Sequence, residues 1–226
     1  MLPVTLGGDN PQMVIPSGVI ETTRKLRFFI VEELRTARRY LRLIDKSFPI
    51  DESQFYILNE HTLSDEIASF LEPAEKGSDI GLMSEAGLPC LADPGARIVS
   101  LAHTMGIKIV PLAGPSSIIL ALISSGMNGQ SFTFNGYIPV KPAERTLKIK
   151  DMEKRAREGT AQIFMETPYR NNRLFEALIE QCSGERLLCI ATDITLQTED
   201  IRVMTISNWK RNKPELNDKL TVFVLQ

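Results

Sequence analysis

The sequence predicts an α/β protein whose first half is doubly wound on parallel strands and whose second half carries a mixed sheet. Three observations predict it. Strand-like apolar runs alternate with helix-period segments along almost the whole chain. Three loops rich in Gly, Pro and small polar residues, "SEAGLPCLADPG" (84–95), "LAGPSS" (112–117) and "ETPYRNN" (166–172), each follow a strand-like run. Near the end, two strand-like runs occur with no long helical pattern between them, which requires antiparallel pairing.

Leu34, Ala37, Leu41 and Ile44 recur at helical spacing and predict an amphipathic helix over 31–45. "FYIL" (55–58) reads as a strand, and 64–72 as a helix with Ser64 as N-cap. "DIGLM" (79–83) is the next strand. Ile98, Leu101, Ala102 and Met105 form a helix closed by Gly106, before a third strand, "IKIVPL" (107–112). "AGPSS" then turns into the apolar helix "IILALISS", which stops at Gly126. Strand "SFTFNGYI" (131–138), a charged helix (144–158), strand "AQIFME" (161–166), a helix (171–182) and strand "RLLCIATDI" (186–194) follow. Two strands near 201–206 and 219–225 complete the chain. The expected division is a lobe over 1–113 and a second over 114–226, joined without a flexible linker, with a ligand cleft between them.

Composition narrows the class. Apolar residues at 43% and charged residues at 24% suit a globular core, and the net charge of −2 gives no global pull toward polyanions. Charge is distributed unevenly, however: 22–46 holds eight basic and three acidic residues, 141–173 nine and five, and 51–85 nine acidic residues with only Lys76. Arg35, Arg38, Arg39 and Arg42 share one helix face; such a stripe is either a solvated surface or a track for nucleic-acid phosphates. Cys90, Cys182 and Cys189 form no CxxC pattern and read as small buried hydrophobes. His61 and His103 lack partner ligands, so no metal site is expected. No apolar stretch approaches the ~20 residues of a membrane span, and no signal peptide is evident. The expectation is a soluble cytoplasmic protein without membrane contact.

Ligands of open α/β sheets bind at the carboxyl ends of strands, where the three loops lie. Gly87 and Ala86 let backbone approach a ligand closely, Pro89 stiffens the turn, and Glu85 offers acceptors to hydroxyls or an amine. The loop matches neither GxxxxGK[ST] nor GxGxxG, and its carboxylate disfavours an anion. A plain tight turn is the alternative. Ser116 and Ser117 stand at a helix start, where capping is their ordinary role. Glu166 and Arg170 either line a cleft or pair with each other.

Taken together, "VTLGGD" (4–9), "VEELR" (31–35), "SEAGLPCLADPG", "VPLAGPSS" (110–117), "FNGYIPVK" (134–141) and "ETPYR" (166–170) resemble the bacterial small-subunit ribosomal RNA ribose 2′-O-methyltransferases. These are a branch of the tetrapyrrole-methylase-like (class III) methyltransferases. The resemblance runs over nearly the whole chain. It implies the two-lobed tetrapyrrole methylase fold, a homodimer, S-adenosyl-L-methionine as cofactor, and ribosomal RNA or the 30S subunit as partner. It also implies cofactor contacts from Pro3, Glu85, Ala86, Gly87, Leu88, Pro89, Ser116, Ser117, Thr167 and Asp193. For the methyl acceptor, Glu33, Arg35, Glu60 and Glu166 are the candidate catalytic contacts. The chain departs from the family pattern at Leu88, where members carry Thr, at Leu34, where they carry Thr, and at Leu196, where they carry Lys. A small-molecule acceptor such as a tetrapyrrole, or a catalytically idle paralogue that binds cofactor or RNA, remains an alternative.

Overall fold

The computed structural model describes every residue except Glu60, with the side chains of Ser64 and Asp65 also left out. The chain forms two compact units, Met1–Ser116 and Ser117–Gln226. The sequence reading puts the division three residues earlier.

In the first unit, β1 (Phe28–Val31), β2 (Gln54–Ile57) and β3 (Ile80–Met83) form a parallel sheet in the order β2-β1-β3. β1 is the run Phe-Phe-Ile-Val, and its residues alternate between two covered faces. Phe29 and Val31 pack with Val19 and Ile20 of α1 (Ser17–Lys25) and with Ala37, Tyr40 and Leu41 of α2 (Leu34–Ile44). Ile30 packs oppositely with Ile67 of α3 (Ser64–Ser69) and Leu71, which leads into α4 (Glu72–Glu75). Ile98 and Ala102 of α5 (Gly95–Thr104) complete that face.

Three expectations need correction here. The helix expected over 31–45 starts only at Leu34, and Val31 at its expected start is instead the last residue of β1. The helix expected over 64–72 is broken into α3 and α4, with Pro73 in the first turn of α4. Ser64 is the first residue of α3 rather than its cap, and its side chain lies outside the described residues. Finally, 107–112 is extended chain, not a ladder strand. It is tied to the N-terminus by the Met1 amine on the Val110 carbonyl (2.9 Å) and the Leu112 N–H on the Met1 carbonyl (3.2 Å). Pro111 supplies no N–H to extend that pairing.

The second unit opens with α6 (Ser117–Ser125) and β4 (Phe132–Tyr137), then α7 (Pro142–Arg157) and β5 (Ala161–Met165). It continues with α8 (Asn171–Gln181), β6 (Leu187–Thr192), β7 (Asp200–Thr205), α9 (Ile206–Arg211) and β8 (Thr221–Leu225). The sheet runs β4-β5-β8-β6-β7, parallel between β4 and β5 and antiparallel elsewhere. The expected mixed sheet is thus present, with its antiparallel part at the chain's end. Phe164, Leu188, Ile190 and Phe223 face a core shared with Met152, Leu174, Leu178 and Trp209. The intervening Cys189, Ala191 and Val224 face oppositely, where α6 packs on β8. Among the described residues, no helix is long and apolar enough to cross a membrane.

Candidate cofactor cradle and acceptor residues

Three segments of the first unit interlock at the carboxyl end of β3. The Val4 N–H donates to the Gly87 carbonyl (2.9 Å), and the Gly87 N–H reaches the Thr5 carbonyl at 3.4 Å. Gly87 has φ +71°, and a β-carbon there would stand 3.2 Å from both a Leu6 methyl and the Pro115 carbonyl oxygen. A β-carbon on Gly114 would overlap the Pro3 ring. Residues 3–6, 84–89 and 114–116 are therefore held against one another through glycines, with no side chain interposed. From α2, the Tyr40 hydroxyl donates to the Pro3 carbonyl at 3.1 Å. Burial pushes the Tyr40 phenol pKa up, so it stays a donor through the neutral range.

Asp93 winds the long loop. One carboxylate oxygen accepts the Cys90 N–H (2.8 Å) and the other the Gly95 N–H at the start of α5 (2.6 Å). These bonds hold Cys90 at φ +72° and Ala92 at φ +67°, conformations that cost about 1 kcal/mol or more each. Glu85 and Ala86 are exposed at the loop's tip, and the amides of Ala86 and Leu88 make no hydrogen bond among the described residues. Ser116 is buried, and Ser117 opens α6. Free amides beside an exposed carboxylate suit a ligand that carries both acceptor and donor groups. S-adenosylmethionine, with a carboxylate, an ammonium and ribose hydroxyls, meets that description.

In the second unit the "ETPYR" segment is an ion pair and a turn. The buried Glu166 accepts the Thr167 N–H (2.8 Å) and an Arg170 guanidinium N–H (2.6 Å) through one oxygen. Asn171, fully buried, donates to the Lys219 carbonyl (2.8 Å) and pins the turn that leads into β8. Asp193, with φ +51°, accepts the Leu220 N–H (3.1 Å) and the Thr198 hydroxyl (2.9 Å). Its backbone is engaged as well, the N–H donating to the Leu220 carbonyl (2.7 Å) and the carbonyl accepting the Leu196 N–H (2.9 Å). In "FNGY", Gly136 lies at φ +65° in an irregularity of the β4–β5 pairing, and Asn135 accepts from Lys148 (2.8 Å). That motif shapes a strand.

The acceptor-side residues do not form one cluster within a unit. Glu33 caps α2, accepting the Thr36 N–H at 2.6 Å and its hydroxyl at 2.9 Å. Backbone amides of Arg35 and Thr36 hold its carboxyl below the usual range, which makes it a weak proton acceptor. Arg35 is exposed beside it, Glu166 belongs to the other unit, and Glu60 lies outside the described residues.

Tyr40, Asp93 and Asn171 were not singled out from the sequence. Asp93 alone had a local signal: an Asp two residues before a glycine, across Pro94, is a turn acceptor. The larger cavity of the first unit, about 230 Å³, lies at the opposite, amino end of the strands. Leu26, Ile80, Ile98 and Ile107 line it, together with Thr22, Ser78, Asp79 and Lys108.

The sequence pattern of the tetrapyrrole (corrin/porphyrin) methylases matches residues 20–209. Ribosomal RNA small subunit methyltransferase I of Vibrio cholerae serotype O1 is 32% identical over 152 residues, which is 67% of this chain and 52% of that protein. The protein of the same name from Mesorhizobium japonicum is 33% identical over 148 residues, 66% of this chain and 49% of its own. That from Pasteurella multocida is 28% identical over 210 residues, 91% and 73% respectively. The chain thus spans about half the length of the first two of these relatives. In fold, it is similar to the crystal structure of the methyltransferase CobJ, with a TM-score of 0.64 at 20% identity, covering 96% of this chain and 90% of that one.

Proposed function

Since this chain belongs to the tetrapyrrole (corrin/porphyrin) methylase family, we propose that it is an S-adenosylmethionine-dependent methyltransferase acting on ribose 2′-hydroxyls of small-subunit ribosomal RNA. It would do so in the cytoplasm and as a homodimer. The observation that carries the reading is the interlock of residues 3–6, 84–89 and 114–116 through Gly87 and Gly114. The names of the relatives from Vibrio cholerae and Mesorhizobium japonicum support the RNA acceptor.

Pro3, Glu85 to Pro89 and Ser116, all of the first unit, would hold the cofactor. The bound cofactor supplies an activated methyl group on a sulfonium, so the protein's main task is to align donor and acceptor. A loop already wound by Asp93 and locked against Pro115 loses little further freedom on binding, which favours affinity. Glu166, whose Oε1 already accepts from Arg170 and Thr167, acts here as a brace for the Thr167 turn rather than as a base.

The test is incorporation of labelled methyl groups from S-adenosylmethionine into 30S subunits, run beside porphyrinogen acceptors. Label in the ribose of ribosomal RNA is expected. Label in the porphyrinogen alone would move the function to a small-molecule acceptor, and saturable cofactor binding without any transfer would mark an idle paralogue.

A further inference from the structure

Beside the interlocked loops, the first unit has a second concavity of about 150 Å³. It lies between the Gly7–Asp9 turn, the first turns of α2 and the residues that follow β3. The volume is below the usual range for a complete drug-sized ligand but adequate for a sugar ring. Tyr40 and Met83 contribute apolar surface. The hydroxyls of Thr5 and Thr36, the carboxylates of Asp9 and Glu85, and the Arg39 guanidinium are its polar lining.

Arg39 differs from its neighbours on the α2 stripe. Arg42 donates to the Lys46 carbonyl (2.7 Å), and Arg38 lies over the Phe55 ring at 5.5 Å. Arg39 makes neither an ion pair nor a hydrogen bond among the described residues, and it lines the pocket. Carboxylates accept hydroxyl protons and repel phosphate, whereas a guanidinium fork binds phosphate oxygens in pairs. A lining that contains both suits a polyhydroxylated sugar carrying a phosphate on one side. The exposed Arg35, Arg38 and Arg42 continue the positive surface along α2, which suits a chain of phosphates better than a single zwitterion.

We propose that this pocket is the sugar subsite for a nucleotide of the RNA acceptor: Asp9 and Thr36 take ribose hydroxyls, and Arg39 takes the adjoining phosphate. The inference rests on the RNA reading above and names its acceptor subsite.

The experiment compares the full chain with Arg39→Gln and Arg39→Lys. Each is titrated with a labelled single-stranded RNA oligonucleotide, with its 2′-deoxy counterpart, and with S-adenosylmethionine. The wild-type chain is expected to bind the RNA several-fold tighter than the DNA. Arg39→Gln is expected to weaken RNA binding about tenfold, the effect of one charge-assisted contact, and to reduce the log–log salt slope by about 0.7. Arg39→Lys should keep the slope and lose part of the affinity. Cofactor affinity should not change in either variant. Weakened cofactor binding with intact RNA binding would give the pocket to the cofactor and overturn the proposal. Equal affinity for RNA and DNA, or an unchanged slope, would also overturn it. Wild-type chain that binds the cofactor but no RNA would instead defeat the RNA reading, and the subsite with it.

Discussion

Pro3 lies against Gly114 with no room for a methyl group between them. Both flank the loop that holds Gly87, so this contact sets the spacing of the cradle. Gly114→Ala would force the Pro3 ring, itself tethered by Tyr40, to shift. Overpacking of this kind costs about 1–3 kcal/mol. The expected result is a lower unfolding midpoint for the first unit and at least tenfold weaker S-adenosylmethionine binding by calorimetry. Unchanged affinity would detach Pro3 from the cofactor site.

Gly87→Ala and Gly126→Ala form a matched pair. Both glycines have positive φ, +71° and +67°, so each alanine should cost about 1 kcal/mol in backbone strain. Only at Gly87 would the new carbon meet another segment, at the Pro115 carbonyl. Denaturant unfolding should show the larger loss for Gly87→Ala, whose β-carbon also crowds Leu6 and Pro115. Cofactor titration should show a defect for Gly87→Ala alone.

The only tryptophan, Trp209, is fully buried in the second unit and donates its indole N–H to the Leu188 carbonyl at 2.8 Å. Its fluorescence should therefore follow unfolding of the second unit, while circular dichroism follows both. Trp209→Ala should destabilise the second unit by about 3–5 kcal/mol, mainly through the cavity it leaves. Guanidinium unfolding by dichroism should then show an earlier phase of roughly half the helical signal. Coincident loss of both units would mean that they unfold as one.

Burial pushes the Cys182 and Cys189 thiols up to about 12. Burial and the neighbouring Asp93 raise Cys90 to about 11. A folded-state pKa above the unfolded value means that the folded chain holds the proton more tightly. The stabilisation is complete below pH 9.0 and is lost as pH rises toward 11 and 12. Stability measured by urea titration should fall over that alkaline interval. Cys189→Ala, compared with its own neutral-pH value, should fall less steeply. At neutral pH the thiols should react slowly with iodoacetamide.

Much of this architecture is legible in the residues, and the exceptions have physical reasons. The helices over 171–182 and around Ile98 were readable because one face is apolar and a cap or glycine closes them. β1 was not, because its four-residue apolar run leads within three residues into the helical pattern of α2 and reads as part of it. The sheet-like reading of 107–112 failed because apolar composition does not reveal the partner, which here is the segment around Met1. At the site, Gly87 and Pro89 advertised a tight backbone turn. The contacts of Gly87 with Leu6 and Pro115, and of Tyr40 with Pro3, join residues far apart in the chain, and no local pattern encodes them.

The cradle itself is tested most directly by calorimetric titration of the wild-type chain with S-adenosylmethionine, run in parallel with Gly114→Ala. The account predicts saturable binding at one cofactor per chain, weakened at least tenfold in the variant. A wild-type chain that takes up no cofactor at millimolar concentration would contradict it.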